Sequence, residues 1–318
     1  MSKKKKTVIV VISSILILLI IMAVGVSYFT GVQVVSGSTQ LVTNEATKGV
    51  SDGFWKKYGL DYEEFCKEYK IETIKLTSSF DGHTIPADFI YSDNKEGNFV
   101  VMAHGLGGNR YTNYPIAEYF LENGYNVITY DQRSSNENTA EKTTFGYWEK
   151  YDLIDCINYA KKLSNGKKIA VWGTSFGGAT AVQAVAYEKT QDDISFLILD
   201  CPVSDMAWMI EEEIKAMDMG IPIDYMMWCG NTVNKLQLGF SYEDADSAKQ
   251  AKNINIPTLV INSKVDKVTP YFMGEDIYNN LSSTKKEIWT VKDSEHTEMW
   301  LDYNEEYRSR VTNFIEVD

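Results

Sequence analysis

Histidine is scarce in this sequence: the 318 residues contain three, His83, His104 and His296. The four cysteines, Cys66, Cys156, Cys201 and Cys229, are scattered and form no C-x-x-C pair. Structural zinc sites need close-set Cys and His, so neither a zinc site nor a dense disulfide framework is indicated. A single Cys201–Cys229 bridge and four isolated thiols are the readings left open. Basic residues are also short. Lys and Arg number 31 against 44 Asp and Glu, a net charge of -13, or -17 once the four positive charges of Lys3–Lys6 are set aside. A body of that sign repels phosphate backbones, which argues against a nucleic-acid partner. No internal repeat is present. With 44% hydrophobic and 24% charged residues the composition is otherwise that of a globular chain able to bury a large core.

Charge is absent altogether from residues 7–29, a run that spans a hydrocarbon core of about 30 Å as a helix. It reads as a membrane anchor. A cleaved signal peptide is the rival, but its apolar region is usually shorter. Lys3–Lys6 precede the run and no comparable cluster follows. The positive-inside rule therefore predicts a cytoplasmic tail at 1–6 and an extracytoplasmic remainder. Residues 30–48, rich in Gly, Ser, Thr, Val and Gln, are expected to be a spacer, and 49–318 a folded domain. Within it, Asp52–Tyr69 sets aromatic residues among charges, as one or two short amphipathic helices packed on the body do.

Ile71–Leu76 and Thr84–Tyr91 flank Asp81-Gly82, which predicts an antiparallel hairpin. Strands then alternate with helices: strand 99–103, helix 115–123, strand 126–130, helix 148–163, strand 168–172, helix from 177 and strand 195–199. Strand 258–261, helix 272–281, strand 286–291 and a helix from 303 complete the series. Such alternation predicts a mostly parallel, doubly wound α/β sheet. Residues 202–253 break the rhythm and hold six of the eleven methionines. They read either as a helical subdomain or as a cap whose soft side chains, Trp208 and Met227 among them, line an acyl-binding cavity.

The run Lys168–Trp172 ends in Gly173-Thr174-Ser175-Phe176-Gly177-Gly178, a G-x-S-x-G pattern between a strand and an Ala-rich helix. A sharp turn there demands small residues two before and two after the serine. An attacking serine needs a base, and the base an orienting acid. His104 and His296 both follow strands of a parallel sheet and so reach the edge where Ser175 stands. His83, in the opening hairpin, reads as a surface residue. Asp200 and Asp266 compete as the acid. Asp266, between Val265 and Val268 and followed by Pro270, has the better claim to a rigid setting at a strand exit.

With His104-Gly105, the elbow around Ser175, Asp266 and His296 in the order Ser, Asp, His, the sequence from about Ile71 onward resembles the α/β-hydrolases. Thr144–Leu153 further resembles bacterial hydrolases described as serine aminopeptidase-like or acyl-ester hydrolases. The resemblance implies Ser175 as nucleophile, His296 as general base, Asp266 as its orienting acid and the N–H groups of Leu106 and Phe176 as the oxyanion hole. It implies no cofactor, a structural His104, and a small-molecule ester as substrate, with a peptide or amide as the alternative. A cell-surface binding protein on a degenerate hydrolase fold is the reading from another class. Dehalogenase and epoxide hydrolase chemistry is excluded, since those enzymes carry Asp where Ser175 stands. One departure stands out: many relatives carry D-x-R-G-x-G-x-S, whereas this chain has Asp131-Gln132-Arg133-Ser134-Ser135-Asn136-Glu137, without the glycines.

Overall fold

The computed structural model describes residues 3–94, 97–187 and 190–316. Helices α1 (Lys3–Thr39), α2 (Asn44–Thr47), α3 (Val50–Tyr58) and α4 (Tyr62–Glu68) precede the first strand. The sheet then alternates as β1 (Lys70–Thr77), β2 (Thr84–Tyr91), β3 (Asn98–Ala103), α5 (Tyr114–Glu122), β4 (Tyr125–Tyr130), α6 (Glu149–Leu163), β5 (Ile169–Thr174), α7 (Phe176–Val185) and β6 (Ile194–Asp200). Helices α8 (Met206–Met217), α9 (Ile223–Leu238) and α10 (Ser247–Ala251) follow, then β7 (Thr258–Ser263), α11 (Phe272–Asn280), β8 (Lys286–Val291), α12 (Met299–Asp302) and α13 (Asn304–Glu316). The chain divides into two compact units: α1 with Ala207–Asp244, and Gln40–Met206 with Ala245–Asp318.

In the second unit the eight strands run in the order β1-β2-β4-β3-β5-β6-β7-β8. β1 and β2 pair antiparallel through a turn in which Gly82 takes φ 78°, and β2 pairs antiparallel with β4. Every other pairing is parallel. A strand's period of two sends alternate residues to opposite faces. Val100, Met102, Ala170 and Trp172 join one buried cluster with α5 and α13, while Val101, Ala103 and Val171 join the other with α6 and α7. The expected doubly wound α/β architecture is the one observed.

The loop without the expected glycines keeps a glycine-like backbone. Ser134 and Asn136 stand at the two positions where relatives carry Gly, and both adopt positive φ, 58° and 46°. Side-chain bonds hold the loop in place: Asn136 Nδ2 donates to Asp131 Oδ2 at 3.0 Å, and Asn138 Nδ2 to the Asp131 carbonyl at 2.8 Å. Asn tolerates this region through such local bonds, but Ser has less reason to be there. Its buried Oγ has no partner among the described residues.

His83 is not a surface residue. Its side chain is 8% exposed, with Nδ1 2.5 Å from Asp81 Oδ1 and Nε2 3.3 Å from Asp152 Oδ2. Arg133 closes the cluster, donating Nε to Asp152 Oδ2 at 2.9 Å and Nη1 to Asp81 Oδ2 at 2.8 Å. Burial alone would lower the His83 pKa, but Asp152 and then Asp81 outweigh both burial and the Arg133 charge and raise it.

The first unit corrects the spacer. Residues 30–39 continue α1, which is 37 residues long. These residues are weak helix formers, but a helix already nucleated propagates cheaply, and here its end has a partner. Gly31, Val34, Val35, Ser38 and Thr39 are buried. A Cβ on Gly31 would fall 2.4 Å from Val233 Cγ2, and one on Gly230 would fall 2.5 Å from Val34 Cγ1, so glycines on both helices let α1 and α9 approach closely. Residues 44–47, also assigned to the spacer, form α2 and belong to the second unit. α1 is long and apolar enough to cross a membrane, and its side chains from Val8 to Phe29 are almost all exposed. Trp208 on α8 and Met227 on α9 are half-buried. All four cysteines are free thiols, so the Cys201–Cys229 bridge does not form.

Two outcomes follow from these local geometries. Ser134→Gly, which removes a Cβ from the left-handed region, is expected to stabilise the fold by about 1 kcal/mol in denaturant unfolding. Asn136→Gly should gain less, because it also deletes the bond to Asp131. For His83 the folded pKa lies above the unfolded value of about 6.5. Its stabilising contribution is full below that value and is lost as pH rises through the folded one. The gap in unfolding midpoint between the parent and His83→Gln should therefore shrink as pH rises above about 6.5; a constant gap would contradict the ion cluster.

Candidate active site

Ser175 stands between β5 and α7 with φ 54° and ψ -118°. Its N–H donates to the Asp200 carbonyl at 2.8 Å, and its own carbonyl accepts from Gly178 N at 2.9 Å and Val203 N at 3.1 Å. The flanking glycines are required by contact as well as by turn geometry. A Cβ on Gly173 would fall 2.4 Å from the Gly177 oxygen, and one on Gly177 would fall 2.1 Å from the Ala103 oxygen. The loop after β3 lies alongside, so that a Cβ on Gly105 would stand 3.4 Å from Ser175 Cβ.

Three of the candidate residues come together. His296 Nε2 lies 2.9 Å from Ser175 Oγ, and His296 Nδ1 lies 2.7 Å from Asp266 Oδ2. Asp266 is held by a turn of its own: Oδ1 accepts from Val268 N at 2.8 Å and from Thr269 N at 2.9 Å. Burial pushes its pKa up, but the hydrogen bond and charge of His296 and the Thr269 donors hold it below the usual carboxylate value. Thr269 was not singled out from the sequence. Its hydroxyl lies 2.9 Å from Asp266 Oδ2, 3.1 Å from His296 Nδ1 and 3.1 Å from the Cys201 carbonyl oxygen. The only signal for it was a hydroxyl within Asp266-Lys267-Val268-Thr269-Pro270.

The competing residues lie elsewhere. Asp200 Oδ2 accepts from Tyr307 Oη at 3.0 Å, and Trp172 Nε1 donates to that same hydroxyl at 3.2 Å. Burial pushes Asp200 up to about 6, against the opposing pull of Tyr307 and His296. His104 is fully buried in a polar clamp. Its Nε2 accepts from Gln132 N at 3.0 Å, so Nδ1 carries the proton and donates to the Gly105 carbonyl at 2.7 Å. Burial lowers its pKa to about 4, with the Gly105 bond working the other way. Gln132 also donates Nε2 to the His104 carbonyl and accepts from Thr180 Oγ1 at 2.7 Å. Leu106 lies in this loop, and Phe176 opens α7, whose N-terminal end carries a partial positive charge.

The segment after the apolar helix reaches three of the loops that surround the serine. Thr47 accepts from Asn109 Nδ2 at its carbonyl (2.8 Å) and from Asn136 N at its hydroxyl (2.7 Å). Trp55 Nε1 donates to the Tyr111 carbonyl at 2.9 Å, Tyr58 Oη donates to the Thr297 carbonyl at 2.7 Å, and Lys57 pairs with Glu298. Thr297, next to His296, takes φ 64°. Among the described residues, ligand atoms of Cys201, Asp266 and His296 lie within 4.8 Å of one another, near enough to share a metal ion. The Asp266–His296 hydrogen bond already accounts for most of that proximity.

The strand order and the serine at a tight turn after β5 are those of the α/β-hydrolase fold. The family model described as the alpha/beta hydrolase fold matches residues 98–223, and the sheet has that fold. It is 25% identical over 220 residues to the uncharacterized protein YqkD of Bacillus subtilis, covering 69% of this chain and 71% of that one. It is 23% identical over 218 residues to the lysophosphatidylserine lipase ABHD12 of Rattus norvegicus, covering 62% of this chain and 52% of the lipase. Among solved structures, the Pyrococcus furiosus esterase Pf2001 superposes with TM-score 0.63 at 20% identity over 80% of this chain and 95% of that one.

If Asp266 orients the imidazole, Asp266→Asn should lower kcat on p-nitrophenyl acetate by about 10⁴, since the wrong tautomer then faces the serine. Asp200→Asn should cost far less, because its carboxylate is tied to Tyr307. Equal losses would reject the assignment.

Proposed function

We propose that the protein is a serine hydrolase that cleaves carboxylic esters through an acyl-enzyme. The observation that carries this reading is the hydrogen-bonded line from Ser175 Oγ to His296 Nε2 and from His296 Nδ1 to Asp266 Oδ2. Ser175 attacks the ester carbonyl as His296 takes its proton, and the ionised Asp266 stabilises the imidazolium that forms. The N–H groups of Leu106 and Phe176 stabilise the oxyanion, aided by the N-terminus of α7. His296 then returns the proton to the leaving alcohol. Water attacks the acyl-enzyme by the same route in reverse, and no cofactor enters. The lipase among the sequence relatives supports an ester, and specifically a lipid ester, over an amide.

The charge-free segment of α1 supports a single-pass membrane location, and Lys3–Lys6 at its start support a cytoplasmic N-terminus with the hydrolase domain outside. Ser175→Ala is expected to abolish labelling by a fluorophosphonate and to lower esterase turnover by about 10⁶ without unfolding the chain. Labelling that persists at another serine would reject Ser175. A panel of short esters, lysophospholipids and aminoacyl amides, run on the parent protein, tests ester against amide directly.

A further inference from the structure

Helix α9 meets α1 just where the charge-free run ends. Tyr225 Oη lies 2.8 Å from Ser27 Oγ, and Gln237 Nε2 donates to Tyr28 Oη at 3.1 Å. Residues far apart on α9 thus reach neighbouring residues of α1, while Cys229 and Val233, midway between them, pack on Gly31. That pattern belongs to a helix lying across α1, not along it. With α1 upright in a bilayer, α9 lies along the membrane surface at the height of Ser27–Gly31.

Exposure marks the side of α9 that is left open. Gly230 meets Val34, farther along α1 from the apolar span, whereas Tyr225 reaches back to Ser27. At about 100° per residue, Tyr225, Trp228, Thr232 and Leu236 form one stripe, nearly opposite Gly230. Trp228 and Leu236 make this stripe apolar and open. Trp228 is 60% exposed and Leu236 is 73% exposed, and Met219 and Ile221 in the preceding turn are exposed as well. Asp224 and Lys235 border it, one charge of each sign. Contiguous apolar surface on this scale marks an interaction site, and Trp is favoured where hydrocarbon meets headgroups.

We propose that this face of α9, with the turn before it, rests in the interfacial layer of the same bilayer that α1 crosses, with Trp228 and Leu236 inserted among the lipid chains. The occupant is phospholipid, because the face continues directly from the apolar surface of α1. The proposal rests on reading α1 as a membrane span, so the test separates the two.

The full-length protein is reconstituted into phosphatidylcholine vesicles with and without a chain-brominated phosphatidylcholine, and vesicle flotation and tryptophan emission are measured for the parent and for Trp228→Phe. The parent should float and lose emission to the brominated lipid, Trp228→Phe should float but lose most of that quenching, and adding Leu236→Trp to Trp228→Phe should restore it. A parent that floats but is quenched no more than Trp228→Phe would overturn the proposal alone. That result together with a dimer in detergent would assign the face to a second copy of the chain. A parent that does not float would remove the span reading and this proposal with it.

Discussion

A Cβ on residue 177 would lie 2.1 Å from the Ala103 carbonyl oxygen and 2.6 Å from that of His104, distances that no side chain can occupy. α7 is pressed onto the end of β3, and the rest of the site depends on that contact. It brings the loop after β3 against Ser175, and it lets the serine keep a backbone that an L-residue ordinarily avoids. Such a conformation persists only where its surroundings over-determine it. Here the Asp200 carbonyl takes the Ser175 N–H, while the N–H groups of Gly178 and Val203 take its carbonyl.

What could be read from the sequence follows from periodicity and punctuation. The hairpin at Asp81-Gly82, the βαβ alternation and the strand exits carrying Ser175, Asp266 and His296 are all local signals, and each sits where the pattern put it. Asp266 and Asp200 both follow strands on the same edge, so local pattern alone does not separate them. Tertiary packing separates them: Tyr307, from a helix over 100 residues away, takes Asp200. His83 is a similar case, since its partner Asp152 lies on α6 and no local pattern announces that pairing. The glycine-poor loop is a different case. Its backbone survives with Asn136 because bonds to Asp131 replace what glycine supplies through conformational freedom alone, whereas the Ser134 hydroxyl finds no partner among the described residues.

The insert at 202–253 shows where composition stops being informative. Six methionines and two tryptophans declare apolar surface, but not what covers it. Part of the cover is α1, through glycines at 31 and 230 that look unremarkable in sequence. The same contact explains why residues 30–39, with the composition of a linker, stay helical.

The reach of residues 44–58 into the loops around Ser175 bears on where this protein can be cut. A soluble form released by a protease, or one shortened for study, retains these contacts when the break falls ahead of Thr43, which caps α2. A break at Lys70 would leave the whole sheet and every residue of the proposed Ser–His–Asp line in place. It would nevertheless strip Thr297 of its Tyr58 hydrogen bond and Asn109 of its Thr47 acceptor. The contacts that hold these loops thus begin well upstream of the first strand, and a fragment chosen from the fold's outline alone would lose them.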